Sequence, residues 1–556
     1  MNNSPASAKA LAMVCSSEKF DEPPATSPVM SVEEPLDVIN QVMTAATTES
    51  SPRHGMVHEG QAPSDISKAS QLIITLLVIL GNLTQFISMF TTVAAGFKLS
   101  SELGHDAQPG QANWMAASYS LTQSAFVLVS GRLGAVFGHQ RLLLLGGAVI
   151  VVFSLVNAFC TTYDSFVAVR ALTGIGGGIL MPNAVATLTI MVPPGKARNI
   201  TLAAFAASPP VGAMIGALFA GLFIELAEWK YLYIFIACLG ALVFGALFFA
   251  LPSEEPVDKG GEIDYIGSIL GISGLALFNF AWNQAPSVGW QTPYIPVILA
   301  LSILAFTGFL VWESRFARAP IMPLTIFAAP TFAALIFVVL LTYMSFGISL
   351  WYMVAWQQLL RGWSVLRLAV GWIPFSGGAS CAVGLAAWLV PRLQAQCIMA
   401  VGVLACLAST LLVATMPAQQ LYWKQTFPAI LVGSICPDFV YVAAQIIASN
   451  SVGRRDQGVA GSLIGTLNLY GNSLGLGFAG TIEVRLLSNG AGEVKSYRAA
   501  LYFGAALAVA ALVLDLAFVR VPKDDRQGWK ESEVSDDPHE LTDGRRVPGA
   551  AGSDNV

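Results

Sequence analysis

The chain has 556 residues, of which 55% are hydrophobic and only 11% are charged, against roughly 25% charged residues in a soluble domain. So few ionic groups cannot cover the surface of a chain of this length in water, and we expect lipid to surround most of it. The net charge of −5 argues against nucleic-acid binding, because no basic face is available to neutralise phosphates.

Polar segments occur at both ends of the chain. Residues 1–68 are rich in Ser, Pro, Glu and Thr and contain neither a long apolar stretch nor the cleavage pattern of a signal peptide. Residues 522–556 are polar and carry charges of both signs. Both segments are predicted to be disordered cytosolic tails.

Fourteen apolar segments between these tails are long enough to cross a bilayer, which takes about 20 residues per helix. They form a group of six in 69–251, a pair after an acidic loop in 252–328, and a second group of six in 329–521. The predicted fold class is therefore an all-α polytopic membrane protein with two six-helix bundles and two extra central helices. Such paired halves are typical of secondary transporters. The predicted spans cover about 71–96, 112–130, 141–160, 165–191, 200–224, 230–251, 265–282, 293–312, 329–356, 368–390, 396–415, 427–449, 458–482 and 498–519.

The chain carries none of the patterns that indicate an enzyme or an ATP-driven pump. No phosphate-binding loop sequence is present, so we expect no ATP hydrolysis. The five histidines lie in tails or loops and the seven cysteines are scattered singly, so we expect no metal site, no disulfide framework and no cofactor. An even number of spans and a modest excess of Lys and Arg on one side predict that both termini are cytosolic.

The connection between the second and third spans reads GRLGAVFGHQR, from Gly131 to Arg141. Glycines such as Gly138 permit a tight turn between two helix ends. The segment resembles the signature loop of the major facilitator superfamily, GxLaDrxGrkr. It departs from that pattern at Ala135 and Val136, where the family usually has Asp and a basic residue. The charge relay that the family builds on that Asp is therefore not expected here.

The fourth and fifth spans carry two further motifs that the resemblance associates with conformational switching. The fourth span reads RALTGIGGG, and Arg170 and Gly174 lie on one helical face. A guanidinium at membrane depth is costly, so Arg170 should face the bundle interior and have a partner there. The fifth span contains Pro210, Gly212 and Gly216 in a loose version of the antiporter motif, with a spacing that suits close helix packing.

Segments 437–439, 448–452, 457–463 and 472–483 are together similar to the fungal fourteen-span drug:proton antiporter branch. That group includes aminotriazole-resistance, boron-efflux and low-affinity ammonium transport proteins. The resemblance implies alternating access and the export of small toxic compounds, drugs or secondary metabolites. It also implies that the proton gradient supplies the energy.

Polar residues at membrane depth are few. Asp438 is the one carboxylate predicted near the middle of a span, and we expect it to couple proton movement to transport together with Arg170. A purely structural role, in which Asp438 pairs with Arg170 or caps a helix break at Pro437, stays open. Asp515 is expected to reach water near the end of the last span. The predicted substrate-cavity residues are Asn82, Gln85, Gln123, Gln445, Asn468 and Asn472, although the asparagines also suit ordinary interhelical hydrogen bonds.

Two other functions remain open from the sequence. One is uptake of a nutrient or a solute such as ammonium or borate, and the other is a transport-like receptor that signals through its tails. The expected partners are a small-molecule substrate, protons and the lipid bilayer, with the chain acting as a monomer. We expect the plasma membrane in preference to the vacuolar membrane.

Overall fold

The computed structural model describes residues 67–193, 196–252, 254–328, 330–452 and 456–520, all of which belong to one compact unit. The predicted disordered tails, 1–68 and 522–556, lie outside the described residues, apart from residues 67 and 68. The described residues form helices and connections, with no strand among them. The all-α polytopic fold class is confirmed.

Fourteen long helices account for most of the described chain, and each corresponds to one predicted span. A short 3₁₀ turn, Leu324–Ala328, precedes the ninth helix. The helices are α1 (Lys68–Glu102), α2 (Trp114–Phe137), α3 (His139–Asn157), α4 (Tyr163–Met191), α5 (Lys196–Leu226), α6 (Trp229–Ala250), α7 (Tyr265–Val288), α8 (Tyr294–Arg315), α9 (Pro330–Ala355), α10 (Val365–Leu389), α11 (Ala395–Thr415), α12 (Thr426–Ser451), α13 (Gln457–Ser488) and α14 (Glu493–Phe518).

Twelve helices of the described chain are long and apolar enough to cross a membrane. The two long helices outside this set are α2 and α13, which have 24 and 32 residues. Most of their residues are buried, and the two helices pack against each other. A helix enclosed by other helices can carry Gly, Ser and Asn in place of lipid-facing apolar side chains, which accounts for their lower hydropathy.

The two halves, α1–α6 and α9–α14, meet along three sets of contacts: α2 with α13, α5 with α10, and α1 with α9 and α10. Of the two inserted helices, α7 packs against both α2 and α13. The buried Asn283 of α7 accepts a hydrogen bond from Asn113 Nδ2 at 3.1 Å and donates one to the Ser473 carbonyl at 3.1 Å. The insert is therefore attached to both halves through buried polar groups.

Two helices of the second half are interrupted at membrane depth. The two segments of α12, Thr426–Gly433 and Ile435–Ser451, are separated at Ser434. Pro437 therefore lies in the first turn of the second segment, where its missing N–H costs no helical hydrogen bond. In α10 the interruption is at Trp372, again shortly before a proline. The break in α12 determines where Asp438 lies.

Candidate transport cavity

A cavity of ≈ 310 Å³ lies between the two halves. Its walls come from α1, α2, α4 and α5 of the first half and from α9, α10, α12 and α13 of the second. The volume falls within the roughly 300–1,000 Å³ range of small-molecule sites. The cavity extends from the middle of the helices towards the protein face that carries the α2–α3 and α4–α5 connections, because its lining reaches the adjacent ends of α4, α5, α10 and α13.

The wall contributed by the first half is almost entirely apolar. Asn82 is its one polar side chain among the described lining residues, and Asn82 Nδ2 donates a hydrogen bond to Ser208 Oγ of α5 at 2.7 Å. The other lining side chains of this half are aromatic, aliphatic, Met and Pro, among them Phe86, Met89, Phe90, Met181, Pro182, Pro209 and Pro210.

The wall contributed by the second half is polar. On α12, Asp438, Tyr441 and Gln445 lie at i, i+3 and i+7, so they share one helical face. On α13, Asn468 and Asn472 continue a face of small residues towards the cavity. The other polar lining residues of this half are Tyr343, Ser376 and Ser462.

The carboxylate of Asp438 is the most distinctive group of the cavity. It lies in the first turn of the second α12 segment, where the positive end of the helix dipole favours a negative charge. Its Oδ2 atom is buried and has no hydrogen-bond partner among the described residues. The described lining contains no Lys, Arg or His. Such a carboxylate can accept a proton or pair with a cation that enters the cavity.

Arg170 lies behind the apolar wall and does not line the cavity. Its guanidinium is fully buried and donates hydrogen bonds to Ser88 Oγ at 3.0 Å and to the Ser88 carbonyl at 2.7 Å. The guanidinium carbon also lies 4.9 Å from the centre of the Tyr119 ring. The described ion pairs do not include one between Arg170 and Asp438.

The remaining predicted cavity residues divide into two groups. Gln445, Asn468 and Asn472 line the cavity, as Asn82 does. Gln85 and Gln123 do not: both are fully buried in the first bundle, and their amide atoms have no hydrogen-bond partner among the described residues.

The predicted glycine positions in α4 and α5 are sites of close helix packing. A Cβ atom at Gly216 would lie 2.5 Å from the Ile87 carbonyl of α1, and one at Gly212 would lie 2.9 Å from the Leu83 carbonyl. Gly174 approaches α2 in the same way: a Cβ atom there would clash with the Thr122 hydroxyl and the Tyr119 carbonyl. These distances permit no larger side chain without movement of the backbone.

Pro210 lies at the junction of the two halves. Its carbonyl lines the cavity region and accepts a hydrogen bond from the Ser376 hydroxyl of α10. The antiporter-like motif of α5 therefore contacts the second half directly.

The signature loop between α2 and α3 receives its acidic partners from elsewhere in the chain. Gly138, with φ of +103°, makes the turn between the helices. Arg132 Nη1 pairs with Asp258 Oδ2 of the α6–α7 connection at 2.7 Å. The backbone N–H of Asp258 also donates to the carbonyl of Ala135 at 3.0 Å, at the position where the family usually has Asp.

A second acid of the same connection reaches the start of α3. The N–H of Gln140 donates to Glu254 Oε2 at 2.7 Å. Burial raises the pKa of the Glu254 carboxyl above its usual value, and the nearby backbone N–H groups and Arg141 oppose that shift. Gly131 lies half-buried at the end of α2, and the Arg141 side chain is exposed. The α6–α7 connection thus supplies two acids to a loop that lacks its own.

The full burial of two carboxylates was not predicted. Asp515 of α14 is fully buried, and neither carboxylate oxygen has a partner among the described residues, so the expectation that it reaches water is wrong. Gln396 of α11 packs over it and donates a hydrogen bond to the Asp515 carbonyl at 2.9 Å. Glu483 is also fully buried. It was missed because α13 continues to Ser488, past the predicted end at residue 482. The four-residue spacing of Gly475, Ala479 and Glu483 was the available sequence signal.

The sequence profile of the Major Facilitator Superfamily matches residues 78–476, from α1 into α13. The chain belongs to the major facilitator superfamily. The resemblance noted in the signature loop and in α4 is thereby confirmed, and the family consists of transporters and not of enzymes.

Curated relatives place this superfamily member among fungal transport proteins. The low affinity ammonium transporter of Saccharomyces cerevisiae is 36% identical over 72% of this chain and 79% of its own length. An efflux pump of Aspergillus terreus is 32% identical over 80% of this chain and 85% of its own length. The aminotriazole resistance protein of S. cerevisiae is 30% identical over 72% of this chain and 76% of its own length.

Solved structures of the superfamily share the fold. A bacterial homologue of the human lysosomal transporter Spinster, in an inward-facing and unoccupied conformation, superposes with a TM-score of 0.56. The match covers 83% of this chain and 100% of that one, at 15% sequence identity.

Proposed function

We propose that this protein exports small organic compounds in exchange for protons by alternating access, with Asp438 as the group that carries the proton. The observation that supports the proposal is the carboxylate of Asp438, which faces the cavity without a cationic partner among the described lining residues. A carboxylate that binds either a proton or a substrate, but not both, links the two movements.

The lining indicates the class of substrate. Aromatic and aliphatic side chains of the first half suit an apolar body, while the amides and hydroxyls of the second half suit a polar end. The single acid, without a described basic residue beside it, favours neutral or cationic compounds over anions. Several relatives are named as efflux pumps or resistance proteins, which agrees with this class.

The proton gradient suffices as the energy source. One charge that crosses a membrane potential of 100 mV releases about 2.3 kcal/mol, which supports a substrate gradient of about fifty-fold for each proton exchanged. We propose that the chain needs no cofactor and acts as a monomer, with a cavity lined by described residues of its own two halves.

We also propose that both termini are cytosolic and that the protein resides in the plasma membrane. The excess of basic residues in the loops on that side supports this orientation. The cavity would then extend towards the cytosol, from which an exporter must load its substrate. Protease protection of tags at the two termini in sealed vesicles tests the orientation.

Uptake of a small cation such as ammonium is the second candidate, and the 36% identical ammonium transporter supports it. The cavity volume of ≈ 310 Å³ is in the range of sites for small organic molecules and far exceeds what a single ammonium ion needs, which favours a larger organic substrate. Flux in vesicles under an imposed pH gradient separates the two candidates by direction. Methylammonium and borate serve as probes for uptake, and a panel of apolar cations and neutral xenobiotics serves for export.

The decisive test is Asp438→Asn in liposomes reconstituted with the full chain. We expect the variant to fold and to lose pH-driven efflux by at least about 100-fold, because the amide keeps the shape but cannot bind a proton. Asp438→Glu should keep part of the activity. Asp515→Asn is the matched control, since Asp515 is a buried carboxylate outside the cavity, and we expect it to transport normally. Full pH-driven efflux in Asp438→Asn would reject the assignment.

A further inference from the structure

The two halves are closed at the end of the molecule opposite to the cavity. The α1–α2 connection of the first half lies there against α9 and α14 of the second. Trp351 Nε1 donates to the Pro109 carbonyl at 3.1 Å, and the Tyr497 hydroxyl donates to Gln108 Oε1 at 2.7 Å. We refer to these contacts, together with those of Gly110 and Glu483 described next, as the closed end.

Backbone contact at the closed end is very close. A Cβ atom built on Gly110 would lie 3.0 Å from the Gly480 carbonyl of α13 and 3.0 Å from Val484. Gly480, Glu483 and Val484 lie on one face of α13 because they are three and four residues apart. That face can meet the α1–α2 connection only while the two halves are together at this end.

Glu483 is a carboxyl group enclosed at this contact. Its side chain is 0% exposed, and Oε2 accepts a hydrogen bond of 2.6 Å from the Tyr352 hydroxyl of α9. The ionisable groups around its carboxyl group are all acids or phenols: Asp106 from the α1–α2 connection, Glu493 and Tyr497 from α14, and Tyr352 itself. The backbone N–H of Gly110 also faces this carboxyl group. No Lys or Arg among the described residues forms an ion pair with it.

Because Glu483 has no cationic partner among the described residues, its neutral, protonated form is favoured while this end is closed. An ionised carboxylate that is buried without a cation carries a large desolvation cost, which a bound proton removes. When the halves separate at this end, Glu483 loses the cover of the α1–α2 connection and meets water, where its charge is tolerated. Closure and proton binding at Glu483 therefore favour each other.

We propose that Glu483 is a second proton-binding site, distinct from Asp438, that takes its proton from the side of the membrane faced by the α1–α2 connection and so controls closure of this end. This proposal extends the proton-driven export proposed above, since it provides a reason why the transporter closes on that side only after a proton has bound. Asp438 would then exchange protons in the cavity, while Glu483 would report the pH of the opposite compartment.

The test measures closure directly, without transport. Spin labels on Thr161→Cys and Lys424→Cys, two exposed positions in the α3–α4 and α11–α12 connections of the same protein face, report the separation of the halves by pulsed electron resonance. The seven native cysteines are replaced by Ala in this background. In the otherwise native chain we expect the ratio of the closed to the open distance population to fall as the pH rises. One ionising acid lowers that ratio by up to about ten-fold for each unit of pH.

Glu483→Gln should remain in the closed distance population at every pH, because the amide resembles the protonated acid. A Glu483→Gln chain that opens with the same pH dependence as the parent would overturn the proposal. Asp515→Asn is the control for a buried carboxylate away from the closed end and should keep the parental pH dependence.

Two further variants keep the test decisive. If Glu483→Gln does not yield folded protein, Tyr352→Phe replaces it. This variant lacks the hydroxyl that stabilises the Glu483 carboxylate, so the midpoint of opening should move to higher pH. An unchanged midpoint would contradict the proposal. Asp438→Asn, measured in the same way, should keep the pH response of the closed end. Failure of export in that variant is thus separable from failure of the Glu483 proposal.

Discussion

The two halves of this transporter treat their polar residues in opposite ways. In the first half the arginine and two glutamines of the membrane interior are buried among helices, and the cavity wall is apolar apart from Asn82. In the second half the acid, amides and hydroxyls face the cavity, and two helices are interrupted beside it. The first half therefore presents an apolar surface to the cavity, while the second presents the groups that can bind a proton or the polar part of a substrate.

The largest effect on folding is expected at Arg170. Replacement by Ala leaves the hydrogen-bonding groups of Ser88 and the face of Tyr119 without their partner. Each buried polar group left unsatisfied costs about 1–3 kcal/mol, and the cavity left by the side chain adds to that cost. We expect a strongly lowered Tm in detergent, whereas Asp438→Asn should keep the Tm of the native chain. If Arg170→Ala instead keeps the native Tm and loses only proton coupling, the first half also takes part in coupling.

A smaller loss of stability is expected when a glycine at a tight helix contact is replaced by Ala, and none when the glycine lines the cavity. Gly216→Ala forces a Cβ atom to within 2.5 Å of the Ile87 carbonyl, and overpacking of this kind typically costs 1–3 kcal/mol. Gly465→Ala is the matched variant of the second half, because its Cβ would meet nothing closer than 3.8 Å. We expect Gly465→Ala to unfold at the native temperature and to raise the KM for bulky substrates. Equal Tm losses in the two variants would contradict this distinction between packing glycines and cavity glycines.

The smallest effect is expected at the signature loop. A double-mutant cycle with Arg132→Ala and Asp258→Ala should give a coupling energy of about 0.5–1 kcal/mol, since both side chains retain some exposure to solvent, 20% and 12%. Thermal unfolding of the two single variants and the double variant measures it. A coupling energy of zero would mean that the α6–α7 connection does not replace the missing acid of the loop.

Much of the fold was predictable because a bilayer imposes a length and a composition on each span. All fourteen predicted spans are helices, and the motif residues in α4 and α5 lie at tight helix contacts, as their spacing indicated. The position of Asp438 near the middle of a long helix was likewise predictable, since α12 runs from Thr426 to Ser451. Glu483 was missed because α13 was predicted to end one residue before it, although the four-residue spacing of small residues continued to that position.

The sequence by itself determined the helices, the family and the presence of an acid near mid-membrane, because each depends on local composition and spacing. Only the tertiary structure decided which polar residues face the cavity. Gln123 of α2 and Asn468 of α13 look equivalent as isolated polar residues in a span, yet one is enclosed by helices and the other lines the cavity. The physical reason is that a membrane helix is apolar towards lipid and largely apolar towards its neighbours, so hydropathy does not reveal which face meets which partner.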